Sequence, residues 1–511
     1  MLFRKTVSLC LMGAIILSNT GCYQGVTDLD ALRIENLERD LSLIYQDVDL
    51  PYEVLTLDEI IDIGLTRNLD LLVKELEYEY RKETASQSRL KMLPALTATG
   101  ELSGRTENTG SFSQSLVPGV PPAPASISST QHTETWNVNL IWNILDFGLS
   151  YYRARQDANR ALATKLEYER LRQNLVLNIV TQYWKAVTSK RAITKSVSVI
   201  SDAEKQQGNI QKQMTAKVIS EIQGLRSQNQ LLNIEIQLQV YQKEYHSARY
   251  QLMQLMGLPP CVNFEVADVE QFPTDVQLGE MCEMEDIALF NRPELYAADL
   301  DEKIMADEAR LEMIQLLPNA ELFGGPYHDT NKFLIHHNWQ AAGVRASWNL
   351  LSLPQHIKGM RAGEARRDMS RESRIALSVG VLTQVYLSKL VYDDNLEQYL
   401  LAYELADVNY RMLGAAENER KQGKLHDADI LHYRAEALLS EINAMKAYVD
   451  LQSALEQLNN AMGMPLYFRN TYVPAVLHCH EIYGERPYFI EEPIPEPFEE
   501  TPWVTPIGTQ R

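Results

Sequence analysis

Apolar residues recur at helical spacing over most of the chain. Between Leu231 and Leu255 one apolar residue follows another at every third or fourth position, and a looser version of this pattern runs from Leu438 to Met462. Spacings that alternate between three and four residues are typical of a coiled-coil seam, in which a narrow apolar stripe packs against a partner helix. We therefore predict long helices that pack against one another, with their remaining surface in water.

The positions of proline set the length of these helices. No proline occurs between Pro124 and Pro259 or between Pro354 and Pro465. Because proline interrupts helix interiors, both intervals can hold long helices. From about residue 149 to residue 217 the only glycine is Gly208. A helix of that length would extend roughly 100 Å, which suits a protein that crosses a wide gap.

Four short segments between the helices have the composition of β-strands. Each contains small, β-branched or alternating apolar and polar residues, and they are predicted near 95–104, 135–145, 320–327 and 341–350. About ten alternating residues is the length of a transmembrane β-strand. Trp136 and Trp142 are expected at the two membrane interfaces, and the segments of the second half come with Trp339 and Trp348.

Four strands cannot close a membrane barrel alone, since the smallest barrels have about eight. No segment beyond the N-terminus offers eighteen uninterrupted apolar residues, so the sequence predicts no transmembrane helix there. A membrane crossing would then require a closed barrel. We therefore predict an oligomer, and three chains would supply twelve strands.

The two halves of the chain also share sequence motifs in the same order. A first repeat is predicted over residues 56–260 and a second over 285–466, joined by a linker at 261–284. The matching motifs are Arg67–Leu71 and Asn291–Leu295, Leu93–Leu96 and Leu317–Ala320, Trp142-Asn143 and Trp348-Asn349, and Met256–Pro259 and Met462–Pro465. This order predicts an internal duplication.

Both ends of the chain lie outside the repeats. Residues 1–21 have the basic start and short apolar run of a signal peptide. The following Cys22 resembles the lipid-attachment cysteine of a bacterial lipobox, with Asn19 where leucine is usual, and an incidental cysteine is the alternative. Residues 22–55 would form an N-terminal anchor segment. Residues 467–511 form a C-terminal extension with a tail rich in Pro and Glu, either disordered or docked on its own body.

Charge and motifs exclude several functions. A net charge of −20 disfavours a nucleic-acid partner, because phosphates attract basic surfaces. The sequence has no phosphate-binding loop, zinc-protease motif or nucleophile elbow, so we predict no enzyme activity and no cofactor. The groups His336-His337 and His478-Cys479-His480 offer two or three ligands without a nearby fourth, so no metal is predicted. Cys261 and Cys282 either pair or remain buried thiols.

From about Thr56 to Pro465, the chain resembles the TolC-like outer membrane efflux protein family, in its lipoprotein branch. The resemblance depends on the duplicated motifs above together with Leu55–Glu59 and Trp142–Gly148. It implies a mainly α fold with a membrane β-barrel, in which long helical hairpins form a periplasmic α-barrel. Four strands from each subunit of a homotrimer would contribute to one shared twelve-stranded barrel.

The resemblance also implies a function and a location. The chain would be the passive exit duct of a tripartite efflux or type I secretion system. It would be anchored in the outer membrane by lipid, including palmitate, and would have a long periplasmic domain. Its partners would be a periplasmic adaptor protein and an inner-membrane pump, and the exported substrate stays open.

In this family, two helix-turn-helix points form the periplasmic tip. The resemblance gives these candidates for a periplasmic gate: Asp429, His432 and Asp427. It gives these for the turns that contact the adaptor: Gly423, Lys424, Ala216 and Ser220. A ring of Asp429 and His432 side chains would respond to pH because histidine titrates near neutrality. The alternative is that both are solvated helix residues. In the first turn Ala216 stands where glycine is usual, which predicts a tighter or shifted turn.

A different class of function fits part of the pattern. A lipid-anchored periplasmic coiled-coil protein without a pore would explain the seams and the lipobox. It would not explain four alternating segments at matched places in both repeats.

Overall fold

The computed structural model describes residues 28–46, 54–114, 116–119, 121–269, 278–425 and 427–464. The predicted signal peptide, Cys22 and the C-terminal extension lie outside these residues. The first half contains α1 (Leu29–Ile44), β1 (Val54–Leu55), α2 (Leu57–Arg67), α3 (Leu69–Leu90), β2 (Ala95–Gly104), β3 (Gly110–Ser111), β4 (Ser126–Ile127), β5 (His132–Asn143), α4 (Ile144–Thr215), α5 (Glu221–Leu255) and β6 (Glu265–Val266).

The second half repeats the main elements in the same order. It contains α6 (Met281–Asn291), α7 (Pro293–Ile314), β7 (Asn319–Asp329), β8 (Asn338–Ser347), a 3-10 turn (Leu350–Ser352), α8 (Leu353–Lys421) and α9 (Asp427–Ala461). The predicted long helices are confirmed, since α4 has 72 residues and α8 has 69. Each extends about 100 Å at 1.5 Å per residue.

All four predicted strands form, and two of them are displaced from their predicted bounds. They make one antiparallel sheet in the order β2-β5-β7-β8, while β1 and β6 form a small parallel pair. Strand β5 ends at Asn143 because that side chain accepts a 3.0 Å hydrogen bond from the Asp146 backbone N–H and starts α4. Strand β8 ends at Ser347, three residues before the predicted end, because Leu350 begins a 3-10 turn.

Each half pairs one long helix with two shorter helices placed end to end. Helices α3 and α5 both pack along α4, and their facing ends are joined by Asn68. The Asn68 side chain accepts a hydrogen bond from the Leu71 N–H (3.0 Å) and donates one to the Leu255 carbonyl (2.9 Å). Helices α7 and α9 lie along α8 in the same way. There, Arg292 donates to the Ala461 carbonyl at 3.1 Å.

A glycine in a left-handed conformation completes each of these junctions. Gly257 has φ +66°, and a Cβ there would lie 2.3 Å from the Arg67 carbonyl oxygen. Gly463 has φ +73°, and its Cβ would lie 2.9 Å from the Asn291 carbonyl oxygen. Only glycine satisfies both the backbone angle and the close approach. The Met-Gly motif that ends each half therefore has a steric cause.

The main core surrounds these junctions. Trp184 of α4 and Tyr399 of α8 both make edge-to-face contacts with the fully buried Tyr448 of α9, at 5.1 and 5.4 Å between ring centroids. The predicted seams are confirmed, because the following seam residues are buried or partly buried: Leu231, Ile234, Leu238, Tyr241, Tyr245, Ala248, Leu252, Leu255, Leu438, Ile442, Met445, Val449, Leu455, Leu458 and Met462.

Helix α8 presents a large apolar surface. By length and composition alone, the helical stretch Leu350–Lys421 is apolar enough to cross a membrane, which a search for uninterrupted apolar runs does not detect. Only 22% of its most apolar window is buried. A single chain therefore leaves this surface uncovered.

The two cysteines near the junction between the halves do not pair. Cys261 is a free, exposed thiol. Cys282 is disulfide-bonded, and its partner lies outside the described residues. The alternatives left open for Cys261, pairing with Cys282 or burial as a thiol, are therefore both wrong.

Candidate functional site

The two faces of the four-stranded sheet differ in chemistry. Side chains alternate between faces along a strand, and directly paired residues share a face. The register places Trp136 opposite His328, and Trp142 opposite Leu322. Apolar residues dominate this face: Leu96, Ala98, Leu102, Trp136, Val138, Leu140, Trp142, Leu322, Ala342, Val344 and Ala346. Several are strongly exposed, including Leu102 at 72% and Val344 at 69%.

The opposite face is mainly polar and carries its own hydrogen bonds. The Thr99 hydroxyl donates to the Asn137 side-chain oxygen at 2.8 Å, and the Asn139 amide donates to the same oxygen at 2.8 Å. Near the helical end of the sheet, Arg345 pairs with Glu321 at 3.2 Å. A sheet with one apolar face and one polar face can separate lipid from water.

Trp339 does not share a face with the other strand tryptophans. The register pairs Tyr327 with both Asn137 and Trp339, so Trp339 lies on the polar face. The interface position expected for Trp136 and Trp142 therefore does not extend to Trp339.

Both outer strands of the sheet have an open edge. Among the described residues, β2 pairs only with β5, and β8 pairs only with β7. The sheet is therefore not closed within one chain. Its backbone N–H and C=O groups along the two edges are available for pairing with another chain.

The far ends of the long helices form two turns with the same backbone geometry. In the second half, Gly423 has φ +75° and the Lys424 N–H donates to the Glu419 carbonyl at 3.1 Å. In the first half, Lys217 has φ +58° and the Val218 N–H donates to the Gln213 carbonyl at 2.9 Å. Both are left-handed helix ends of the Schellman type.

The first turn is therefore neither tighter nor shifted, contrary to the prediction. The counterpart of Gly423 is Lys217, and Ala216 has ordinary helical angles with φ −77°. Ser220 caps α5, as predicted, through a reciprocal pair of hydrogen bonds with Gln223. A lysine accepts the left-handed conformation here at a strain of about 1 kcal/mol.

The gate candidates occupy the first turns of α9. The helix begins at Asp427, whose side chain is not among those described. Asp429 is partly buried. His432 is also partly buried, and its Nδ1 contacts the Gln230 amide of α5 while its Nε2 lies 3.3 Å from Glu436. His432 therefore contacts a neighbouring helix while 40% of its side chain stays exposed.

Further polar contacts close to the turns were not predicted from sequence. Arg434 of α9 bonds Asp202 of α4 at 3.4 Å and Glu417 of α8 at 2.9 Å. About two turns further along α9, Glu441 contacts both Lys195 of α4 and the Tyr410 hydroxyl of α8. Burial and the bond to Glu441 raise the pKa of Tyr410. Arg434 and Glu441 are seven residues apart, which places them on one helix face, and this spacing could have predicted from sequence that both contact neighbouring helices.

Among the described residues, no group of three His, Cys, Asp or Glu side chains could hold a metal ion. Of the paired histidines, His337 contacts the Asp329 carbonyl through Nδ1 at 2.9 Å.

The fold is that of several solved channels. The outer-membrane channel OprN has a TM-score of 0.65 at 17% identity, covering 83% of this chain and 92% of that one. The open state of the Neisseria gonorrhoeae MtrE outer membrane channel has a TM-score of 0.65 at 16% identity, covering 80% and 89%. The Campylobacter jejuni CmeC outer membrane channel has a TM-score of 0.64 at 14% identity, covering 80% and 85%.

At these identities the likeness shows the fold. No curated protein matches the chain by sequence. Residues 60–258, however, match the model of the outer membrane efflux protein family. The resemblance to the outer membrane efflux protein family is therefore confirmed, by sequence over residues 60–258 and by fold over most of the chain.

Proposed function

We propose that the chain is one subunit of a homotrimeric exit duct in the outer membrane, which passively conducts substrates for a tripartite efflux or type I secretion system. The observation that supports this most directly is the two-faced sheet with two open edges. If β8 of one chain pairs with β2 of the next, three sheets close into a twelve-stranded barrel with its apolar face outward.

The helices support the same arrangement. The apolar surface of α8 is largely uncovered in one chain, and packing against neighbouring subunits would bury it. Long helices from three chains would form a periplasmic α-barrel around the continued channel. We propose further that Cys22 is acylated and anchors each subunit in the lipid.

The turns are proposed as the inner end of the duct. Gly423, Lys424, Ala216 and Ser220 lie in the two turns and would meet a periplasmic adaptor bound to an inner-membrane pump. The first turns of α9 would form the gate, with Asp429, His432 and Asp427 around the aperture. Arg434, which joins three helices just behind the turn, would help to hold the gate closed.

Purified protein in planar lipid bilayers tests the duct. We expect a trimer that survives SDS without heating and conducts ions in small closed-state steps. A monomer in detergent that conducts no ions would overturn the proposal and favour the pore-free coiled-coil protein.

The gate is tested by Asp429→Ala, which should raise the closed-state conductance by loosening the aperture. Glu221→Ala is the control, because it removes one carboxylate from the first turn of α5 and leaves the gate candidates of α9 in place, and it should leave the closed-state conductance unchanged. Equal conductance in the wild type and both variants would place the gate elsewhere.

A further inference from the structure

The polar face of the sheet contains an aromatic pair that the proposed duct does not explain. Tyr327 and Trp339 lie directly opposite each other, with ring centroids 5.8 Å apart and an interplanar angle of 8°. Trp339 remains 42% exposed on a face where its neighbours include Thr99 and Asn137. Aromatic surface left bare among polar groups is a surface available to a ligand.

Beside this pair, on the side of the helices, two small residues leave a low area on the polar face, which we call the recess. The next residues on the same face are Gly325 and Ala341, which are also paired. A Cβ at Gly325 would lie 1.8 Å from the Val138 carbonyl oxygen, so no side chain can fill the position. The floor of the recess is therefore flat and small, with the Tyr327–Trp339 pair on one side.

A second aromatic ring borders the recess on the other side. Phe323 follows Gly325 on this face, and its ring lies 2.6 Å from the position of a Cβ at Gly343. The Arg345 guanidinium lies 5.3 Å from the centre of the Phe323 ring. Aromatic groups thus stand on both sides of a floor made of Gly325 and Ala341.

The charged residues on the polar face favour a positively charged ligand. The four strands place three carboxylates on it, those of Glu101, Glu321 and Asp329, against the single guanidinium of Arg345. Glu101 and Asp329 both pair with Thr135, in a row just beyond the aromatic pair. Since Arg345 already pairs with Glu321, Asp329, on the same strand as Tyr327, leaves the site net negative, and Glu101 adds a second carboxylate two strands away on the same face.

We propose that the Tyr327–Trp339 pair and the adjoining recess bind planar aromatic cations as they pass through the channel. Stacking on the indole and cation–π attraction would hold the flat ring, and Asp329 and Glu101 would favour the positive charge. This inference rests on the proposed function, which makes the polar face the wall of the lumen.

Ethidium is a suitable probe because it is planar, aromatic and cationic. In planar bilayers we expect ethidium to block the wild-type channel, and Trp339→Leu to raise the half-blocking concentration about fivefold or more. Trp136→Leu is the matched control, because Trp136 stacks on His328 at 5.5 Å one register position away on the apolar face. It should leave the block unchanged. Trp339→Phe should recover part of it, and tetraethylammonium, which has no ring, should block all variants alike.

Equal ethidium block in the wild type and Trp339→Leu would overturn the binding site while leaving the channel in place. Ethidium fluorescence with the trimer in detergent gives a second readout that needs no current. Trp339-dependent binding without conductance would support the site and overturn the duct. Absence of binding that depends on Trp339, in protein with wild-type circular dichroism, would overturn the site.

Discussion

The two halves of the chain place their corresponding helix ends in the same backbone geometry with different side chains. Asn68 and Arg292 occupy one pair of equivalent positions, and Lys217 and Gly423 occupy another. The backbone hydrogen bonds at the two turns use equivalent carbonyls, and Asn68 and Arg292 donate to the equivalent carbonyls of Leu255 and Ala461. The difference shows that the backbone path is set by how the helices stack, and that individual side chains adapt to it. Substitutions at the junctions, at the turns and at the helix starts can break or sharpen this comparison.

The largest effect is expected at the junction glycines. Gly257→Ala should lower the free energy of unfolding by about 4 kcal/mol, because a Cβ adds left-handed strain and a clash with the Arg67 carbonyl. Gly414→Ala is the control, since Gly414 lies in α8 with open space around it and should gain about 0.5–1 kcal/mol. Urea unfolding followed by helical circular dichroism measures both. Equal effects would mean that the junction is not tightly packed.

The next largest effects are the losses of stability expected from changing the junction side chains of Arg292 and Asn68, which should differ. Arg292→Asn should cost about 3 kcal/mol, because it removes a buried guanidinium that bonds Glu294, Gln384 and the end of α9. Asn68→Ala removes only a helix cap and one further hydrogen bond, and should cost about 1–2 kcal/mol. If the same urea titrations show a larger loss for Asn68→Ala than for Arg292→Asn, the Arg292 contacts do not stabilise their junction more than the Asn68 contacts stabilise theirs.

Substitutions in the two turns should change the free energy of unfolding by less, and in opposite directions in the two halves. Lys217→Gly should stabilise the protein by about 1 kcal/mol by relieving left-handed strain. Gly423→Ala should destabilise it by a similar amount, and without a clash because nothing lies near its Cβ position. A shift of the urea midpoint in the same direction for both variants would show that the two turns are not equivalent.

The smallest effect concerns the helices before the junctions. Thr56 and Glu59 form a capping box on α2, whereas Glu280 at the start of α6 makes no side-chain cap hydrogen bond. Glu280→Thr should therefore stabilise α6 by about 0.5–1 kcal/mol.

The stability that the capping box of Thr56 and Glu59 gives to α2 should depend on pH. Hydrogen bonds from Thr56 lower the pKa of Glu59 below its ordinary value of 4.5. The contribution of ionised Glu59 to the free energy of unfolding is therefore present above pH 4.5, and it is lost as the pH falls through the lowered pKa of Glu59. The stability difference between the wild type and Thr56→Ala should accordingly shrink between pH 7 and pH 3, and a constant difference would contradict this reason.

Much of the fold follows from local sequence. Heptad spacing and proline gaps predict the long helices because both act within a few turns of helix. The four strands follow from their alternation, although Asn143 and Leu350 move their ends by starting helical turns. The face of Trp339 did not follow from local sequence, because it is set by the pairing of β8 with β7 and of β7 with β5.

The remaining features depend on contacts between distant segments. Nothing local marks Lys217 as left-handed, since its conformation is imposed by the two helices that meet there. The bonds from Arg292 to the end of α9, and from Arg434 to two other helices, join positions far apart in sequence. The aromatic recess likewise exists only once β7 and β8 are in register.

The end-to-end placement of α3 with α5, and of α7 with α9, has a mechanical consequence. A column made of two segments bends most easily where they meet, while the unbroken helix beside it resists bending along its whole length. A sideways push on either turn would therefore pivot the short segment at Gly257 or Gly463 and leave the sheet end undisturbed.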